Sequence, residues 1–200
     1  HFEIDVLHAV VGPSVGGLIA LTFATRFAER VRNVIVIASG FKTTVLNRLI
    51  LFEQILAIEN DPHFNGGHYY DGEAPLYGLV LARMISHKTF VHLDSIERRA
   101  RQDVVQPDDV LAWYRVRDQF QSYMLHQGKK FTKRFDANSY LYVTKAMDYF
   151  DLKNGHKLLA DAFAQSFEMT RLAGDPAALV FEPRNQRAGQ GADDQVAAPG

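Results

Sequence analysis

The sequence predicts an α/β protein in which a short parallel-sheet unit is followed by a long helical insertion. Residues 6–11 and 34–37 are apolar runs rich in β-branched side chains, which is typical of buried strands. Residues 18–27 place apolar side chains at helical spacing between them. A strand, a helix and a second strand in this order form a βαβ unit with parallel strands and a right-handed crossover.

The insertion begins after Gly40, where the apolar spacing becomes helical. Leu49, Phe52 and Leu56 fall on one face of the first helix of this insertion. The predicted helices are 43–60, 76–87, one that starts at Pro107, and 137–150. The helix from Pro107 carries an apolar stripe, which we interpret as packing or a dimer contact: Trp113, Val116, Phe120 and Tyr123.

These elements divide the chain into three segments. The predicted domains are a partial sheet core over 1–42, a helical lid over 43–150, and a tail over 151–200. The tail is predicted to be helical over about 158–169, to hold a short strand at 178–181, and to be disordered from about 183 onward because it is rich in Ala, Gly, Gln, Asp and Pro.

Composition excludes several classes of protein. The 200-residue chain has no Cys, so disulfides, thiolate zinc sites and a cysteine nucleophile are ruled out. Its formal net charge of −1 argues against a nucleic-acid-binding or membrane-binding surface, because both need clustered Lys and Arg. No apolar run reaches the roughly 20 residues that a membrane span requires. We therefore expect a cytoplasmic protein without nucleic-acid or membrane partners.

A metal site is the weaker interpretation of the turn-rich loop at 61–75. His63 and His68 lie five residues apart near Asp61 and Asp71, and His and carboxylates can hold zinc. The Asn, Asp, Pro and Gly residues of this loop account for its turns without a metal. We expect no bound metal.

The candidate catalytic residue is Ser14, in a G-x-S-x-G motif with Gly12 and Gly16. The motif lies between a predicted strand and a predicted helix, which is the context of a nucleophile elbow. Side chains two residues on either side of the serine are expected to collide with neighbouring backbone, which accounts for the glycines. The Val15 N–H then begins a helix and faces the site of a developing oxyanion. An unreactive serine in a Gly-rich turn is the alternative.

Four blocks carry a resemblance to a known family. Residues 7–17 (LHAVVGPSVGG), 61–70 (DPHFNGGHYY), 78–87 (GLVLARMISH) and 127–141 (QGKKFTKRFDANSYL) resemble, in order, segments of the homoserine O-acetyltransferases. The resemblance implies a partial α/β-hydrolase fold with a nucleophile elbow and a helical lid. The last block is long and specific, so it supports membership more strongly than G-x-S-x-G does.

The resemblance also implies a function. Ser14 is the expected nucleophile that takes an acetyl group from acetyl-CoA, a co-substrate, and passes it to L-homoserine in methionine biosynthesis. Arg83 matches the family arginine that reaches the active-site tunnel and meets the amino acid's carboxylate. No bound cofactor is implied. Members of the family pair through lid helices, so a homodimer is expected.

Two departures from the family pattern bear on function. Phe90 stands where the family often has a tyrosine, so a phenol donor is lost. The family's catalytic Asp and His follow the lid, and no segment after Phe150 matches their motifs; His156, Asp175, Asp193 and Asp194 are poor candidates. We interpret the sequence as a fragment that lacks the N-terminal strands and the C-terminal Asp/His region, which makes its own activity doubtful.

Other functions remain open at this point. A sister transferase would use succinyl-CoA, or serine or another alcohol as the acceptor. An esterase of the same fold would use water. A protein of a different class would be a catalytically inactive fragment that at most dimerises.

Overall fold

The computed structural model describes residues 3–100, 116–154, 167–171 and 178–183. The chain forms two compact units. We call them the sheet unit, residues 1–43 with 150–200, and the helical unit, residues 44–149. Each is described by itself.

The sheet unit begins with the predicted βαβ motif, which is confirmed. Strand β1 is Leu7–Pro13, helix α1 is Val15–Arg26, and strand β2 is Val31–Ile37. The two strands are parallel, with a register that runs from Leu7 opposite Val31 to Pro13 opposite Ile37. Their core is formed by fully buried aliphatic side chains of α1 and β2: Ala20, Leu21, Ala24, Val34 and Val36.

Two further strands extend this sheet. Strand β3 is Phe167–Arg171 and strand β4 is Ala178–Pro183; the order is β1-β2-β4-β3, and β4 is antiparallel to both neighbours. The strand predicted at 178–181 is confirmed. The helix predicted over 158–169 is wrong at its end, because residues 167–169 pair with β4. The rest of that prediction, and the predicted disorder from 184 to 200, lie outside the described residues.

The two chain segments that connect the units are joined side by side within the sheet unit. The Thr43 N–H donates to the Phe150 carbonyl at 3.2 Å, and the Leu152 N–H donates to the Phe41 carbonyl at 2.8 Å. Lys42 and Asp151 pair across this short antiparallel bridge. The insertion therefore leaves and re-enters the sheet unit at one place.

The helical unit opens with α2, Val45–Glu59, which is N-capped by Thr44. Leu49, Phe52 and Leu56 share one face as predicted, but this face is exposed, at 56%, 54% and 40%. The buried face carries Leu51, Gln54 and Ile58 instead. Because α2 is apolar on both sides, its spacing alone did not indicate which face is covered.

Four more helices complete the described part of this unit. They are α3 (Leu76–Phe90), α4 (Leu93–Ala100), α5 (Gln119–Thr132) and α6 (Ala137–Asp148). Helix α5 begins after Asp118, whose carboxylate accepts hydrogen bonds from the N–H groups of Phe120 and Gln121. Val116 lies before this cap, so the predicted continuous helix is interrupted there, and of the predicted stripe only Phe120 and Tyr123 lie on α5. Trp113 and the predicted start at Pro107 lie outside the described residues.

The core of the helical unit joins α2, α3, α5 and α6. Its buried side chains are Ile58, Phe64, Tyr69, Leu79, Ala82, Phe131, Ala137 and Leu141. Gly78 allows α3 to approach α2 closely, because a Cβ there would lie 2.4 Å from the Ala57 carbonyl oxygen. None of the helices in the described ranges is long and apolar enough to cross a membrane.

Candidate active site

Ser14 lies in a strained turn between β1 and α1. Its φ of 52° and ψ of −123° belong to a region that residues with a side chain rarely adopt. The Ser14 N–H donates to the Ile37 carbonyl at 2.9 Å, which ties the turn to the end of β2. The side chain is exposed at the carboxyl ends of two parallel strands. This is the placement expected of a nucleophile elbow.

The glycines around Ser14 differ in whether a side chain could be accommodated at their positions. A Cβ on Gly12 would lie 2.0 Å from the Gly16 carbonyl oxygen, so glycine is required there. A Cβ on Gly16 would meet only Pro13 Cδ, at 3.4 Å, so the collision expected on that side of the serine is wrong. Gly16 lies in the first turn of α1, where its carbonyl oxygen, not its Cα, makes the close approach to β1. The second crowded position is Gly17, where a Cβ would lie 2.3 Å from Ser39 Oγ.

Ser39 is a site residue that the sequence analysis missed. It follows β2, and its hydroxyl donates to the Ser14 carbonyl. Together with the Ser14 N–H bond to Ile37, this contact fixes both backbone polar groups of Ser14 to one short segment. Ala38, between those two partners, also has a positive φ of 50°. The parallel pairing of β1 and β2 was the signal, since it places the residues after Ile37 beside the turn after Pro13.

The Val15 N–H lies at the first position of α1. The first N–H groups of a helix have no intrahelical acceptor, and they carry the positive end of the helix dipole. An oxyanion that forms at a substrate bound to Ser14 would find this donor on the adjacent residue. The role of Val15 as an oxyanion donor remains a prediction.

Arg83 lies on α3 in the helical unit, and its guanidinium is held by aromatic rings. The guanidinium carbon lies 4.8 Å from the ring centroid of Phe90 and 4.7 Å from that of Phe131. Its Nε is buried and has no hydrogen-bond partner among the described residues. Burial lowers the pKa of Arg83; nearby Tyr140 opposes this shift and Arg134 adds to it. An anion such as a carboxylate would supply the acceptor that the Nε–H group lacks.

Two of the blocks that carry the family resemblance contact each other. The Tyr69 hydroxyl donates to Asp136 Oδ2 at 2.5 Å and accepts from the Asn138 N–H at 2.9 Å. Asn138 Nδ2 donates to the Gly67 carbonyl at 2.9 Å. Burial and the Asp136 hydrogen bond raise the pKa of Tyr69 above its ordinary range. These residues therefore join the loop before α3 to the N-terminus of α6.

Asp61 makes a similar connection to the third block. Its carboxylate accepts from the Gly78 N–H at 2.7 Å and from the His63 N–H at 2.9 Å, and its side chain is fully buried. His63 also lies 3.2 Å from Glu73. Within the described ranges, no three His or acidic side chains are grouped so as to hold a metal ion. The loop at 61–75 is explained by its internal hydrogen bonds.

The structure brings Ser14 and Val15 together in the sheet unit and places Arg83 in the helical unit. His156, Asp175, Asp193 and Asp194, which we weighed for the roles of general base and acid, lie outside the described residues.

Comparison with known proteins gives close relatives for most of the chain, although no protein-family model matches it. The homoserine O-acetyltransferase of Mesorhizobium japonicum is 39% identical over 168 residues, which is 82% of this chain and 43% of that protein. The chain spans less than half the length of the first curated relatives that it matches.

Solved structures give the same result for the fold. The homoserine O-acetyltransferase of Bacillus anthracis is similar with a TM-score of 0.68 and 26% identity, over 80% of this chain and 43% of that one. Esterase E22 has a TM-score of 0.67 and 22% identity over 80% and 44%, a likeness that bears on the fold alone. The fold is part of an α/β hydrolase, and the chain belongs to the homoserine O-acetyltransferase family.

Proposed function

We propose that this chain carries the nucleophile and part of the acceptor site of an O-acyltransferase that moves an acetyl group from acetyl-CoA to L-homoserine. Ser14 Oγ attacks the thioester carbonyl, the carbon–sulfur bond breaks, and the hydroxyl proton passes by way of a general base to the coenzyme A thiol. The γ-hydroxyl of homoserine then attacks acetyl-Ser14 and regenerates the serine. The observation that carries this proposal is the strained, exposed turn at Ser14, with φ of 52°.

Val15 supports the first step. Attack on the thioester places negative charge on the carbonyl oxygen, and preorganised N–H donors at that point stabilise the transition state. We propose the Val15 N–H as one such donor, because it follows Ser14 directly at the start of α1. A single donor of this type contributes about 3 kcal/mol in acyl transfer.

Arg83 supports recognition of the acceptor. L-Homoserine carries a carboxylate, and a guanidinium binds carboxylates through two parallel N–H···O bonds. Arg83 forms no ion pair with any acidic residue of the described ranges, whereas Arg48 on α2 pairs with Asp148 at 3.0 Å. We propose that the acceptor's carboxylate pairs with Arg83.

The proposed partners are small molecules, acyl-CoA and L-homoserine, together with a second copy of the chain. Helix α2 exposes an apolar stripe that supports pairing through lid helices. Its members lie at spacings of four, three and four residues, as in a helix-pairing seam: Val45, Leu49, Phe52 and Leu56. The proposed location of this biosynthetic enzyme is the cytoplasm.

The test uses the purified chain with acetyl-CoA, with and without L-homoserine. A thiol reagent measures coenzyme A release without background, because the chain has no Cys. The proposal expects homoserine-dependent release, an acetyl group on the peptide that contains Ser14, and loss of both in Ser14→Ala. Succinyl-CoA and L-serine, tested in parallel, distinguish the sister transferases.

Each alternative predicts a different result. Release that is equally fast without homoserine indicates an esterase, one of the alternatives that the sequence left open. Absence of acetyl-Ser14, with identical behaviour of wild type and Ser14→Ala, would refute the proposal and leave a catalytically inactive chain of this fold.

A further inference from the structure

Phe90 and Phe131 both contact the guanidinium of Arg83 through their rings. The guanidinium carbon lies 4.8 Å and 4.7 Å from the two centroids. Arg134 also lies over the Phe131 ring, at 6.0 Å, whereas Arg30 donates to two backbone carbonyls. Among the described residues, only aromatic contacts are found for the Arg83 guanidinium, and its Nε remains buried without a partner.

Ring contacts determine which part of a guanidinium stays free. A planar guanidinium stacks on aromatic faces, and in such a stack its flat face, from which no N–H points, meets the ring. The N–H groups lie in the guanidinium plane, so they remain available at its edge. A buried donor without a partner costs free energy, which a planar anion bound at this edge would recover. The site therefore suits a carboxylate, whose two oxygens match two parallel N–H groups.

Phe90 is held in place although it is exposed. Its ring is 58% exposed, but it contacts the His87 ring edge-on, with centroids 5.4 Å apart at 84°. His87 is buried, and its Nε2 forms a 3.0 Å hydrogen bond with the hydroxyl of fully buried Tyr123. The position of Phe90 is thus fixed by a buried pair that joins α3 to α5.

We propose that Phe90 is a positioning residue of the acceptor site: with Phe131 it holds Arg83 by its face and presents the guanidinium edge to the carboxylate of the acceptor. The inference rests on the proposed function and deepens it. At position 90 the face of the aromatic ring, and not a hydroxyl, is what positions Arg83. It predicts that Phe90→Tyr retains carboxylate binding and that Phe90→Leu weakens it.

The experiment follows an NMR signal of the Arg83 side chain. In ¹⁵N-labelled protein, the Arg83 Nε–H resonance, identified by its loss in Arg83→Lys, is titrated with L-homoserine and with L-2-aminobutyrate, which lacks the hydroxyl. We expect saturable shifts in wild type and in Phe90→Tyr, and roughly tenfold weaker binding in Phe90→Leu, as expected for loss of one partly desolvated cation–π contact. Phe120→Leu, a substitution of another exposed phenylalanine of the helical unit, is the control and binds like wild type.

The same variants separate this inference from the proposed function. The inference is overturned if wild type does not bind the carboxylates, if Phe90→Leu binds them like wild type, or if Phe120→Leu loses binding equally. Binding that depends on Phe90 without acetyl transfer would support the inference and contradict the proposed function. Acetyl transfer with an unchanged KM for homoserine in Phe90→Leu would support the proposed function and overturn the inference.

Discussion

Substitution of the two motif glycines by alanine should have opposite effects on the stability of the elbow. An alanine Cβ at position 12 would lie 2.0 Å from the Gly16 carbonyl oxygen and 2.7 Å from the Gly17 nitrogen. Ordinary C···O contacts are about 3.3 Å or longer, so the start of α1 would have to move by more than about 1 Å. At position 16 the nearest atom is Pro13 Cδ, at 3.4 Å, which is an ordinary contact.

The magnitudes follow from these contacts. Overpacking a rigid core costs about 1–3 kcal/mol and sometimes more, and the clash at Gly12 is with backbone that cannot rotate away. We expect Gly12→Ala to lower the free energy of unfolding of the sheet unit by about 3 kcal/mol or more. Gly16→Ala exchanges glycine for a better helix former within α1, so it should raise that free energy by up to about 1 kcal/mol.

Hydrogen exchange read by mass spectrometry on peptides from β1 and α1 measures both effects locally. Gly12→Ala should lose protection in these peptides while peptides from the helical unit stay protected. Gly16→Ala serves as the matched control, because it adds the same methyl group four residues away. Equal protection in the two variants would show that the close approach of β1 to α1 is not a real constraint on the fold.

Two further predictions concern the helical unit. Asp61→Asn replaces one of two buried acceptors by an NH₂ group, so it should lower the free energy of unfolding by about 2–3 kcal/mol in urea, whereas exposed Asp71→Asn should have no effect. Burial, with Arg83 and Arg99 nearby, lowers the pKa of His87. The unfolded chain then binds a proton that the native state does not, so the free energy of unfolding should fall below pH of about 6.5 by at most about 1.4 kcal/mol per pH unit. His87→Asn should remove this slope, and a slope that persists would contradict the assignment.

The sequence predicted the βαβ start well because its signals are local. The apolar runs of β1 and β2 are bounded by turns, and a helix between two buried strands has few alternatives. Helix α2 was harder, since it is apolar on two faces and only the structure identifies Leu51 and Ile58 as the covered side. Strand β3 was missed because its five residues were interpreted as the end of a helix, and only their pairing with β4 shows that they form a strand.

The residues of the candidate site also differ in whether the sequence predicts them. Ser14 and Val15 could be predicted because their motif has fixed spacing. Phe131 could not, since it reaches Arg83 from another helix. Ser39 was missed because it lies 25 residues from Ser14, although the predicted parallel pairing of β1 and β2 places it beside the turn. The spacing of the motif also suggested that a side chain would collide with backbone at both Gly12 and Gly16. In the structure the second close approach is at Gly17 instead.

The residues that support the family assignment are largely different from those that support the chemistry. Tyr69, Asp136 and Asn138 bond to one another and join a loop to α6, and Asp61 joins the same loop to α3. Such contacts explain why these blocks resemble the family together, because each residue needs its hydrogen-bond partner in another block. They bear on the architecture of the helical unit, so an inactive relative would retain them equally well. The catalytic proposal therefore depends on the turn at Ser14 and on measured acetylation there.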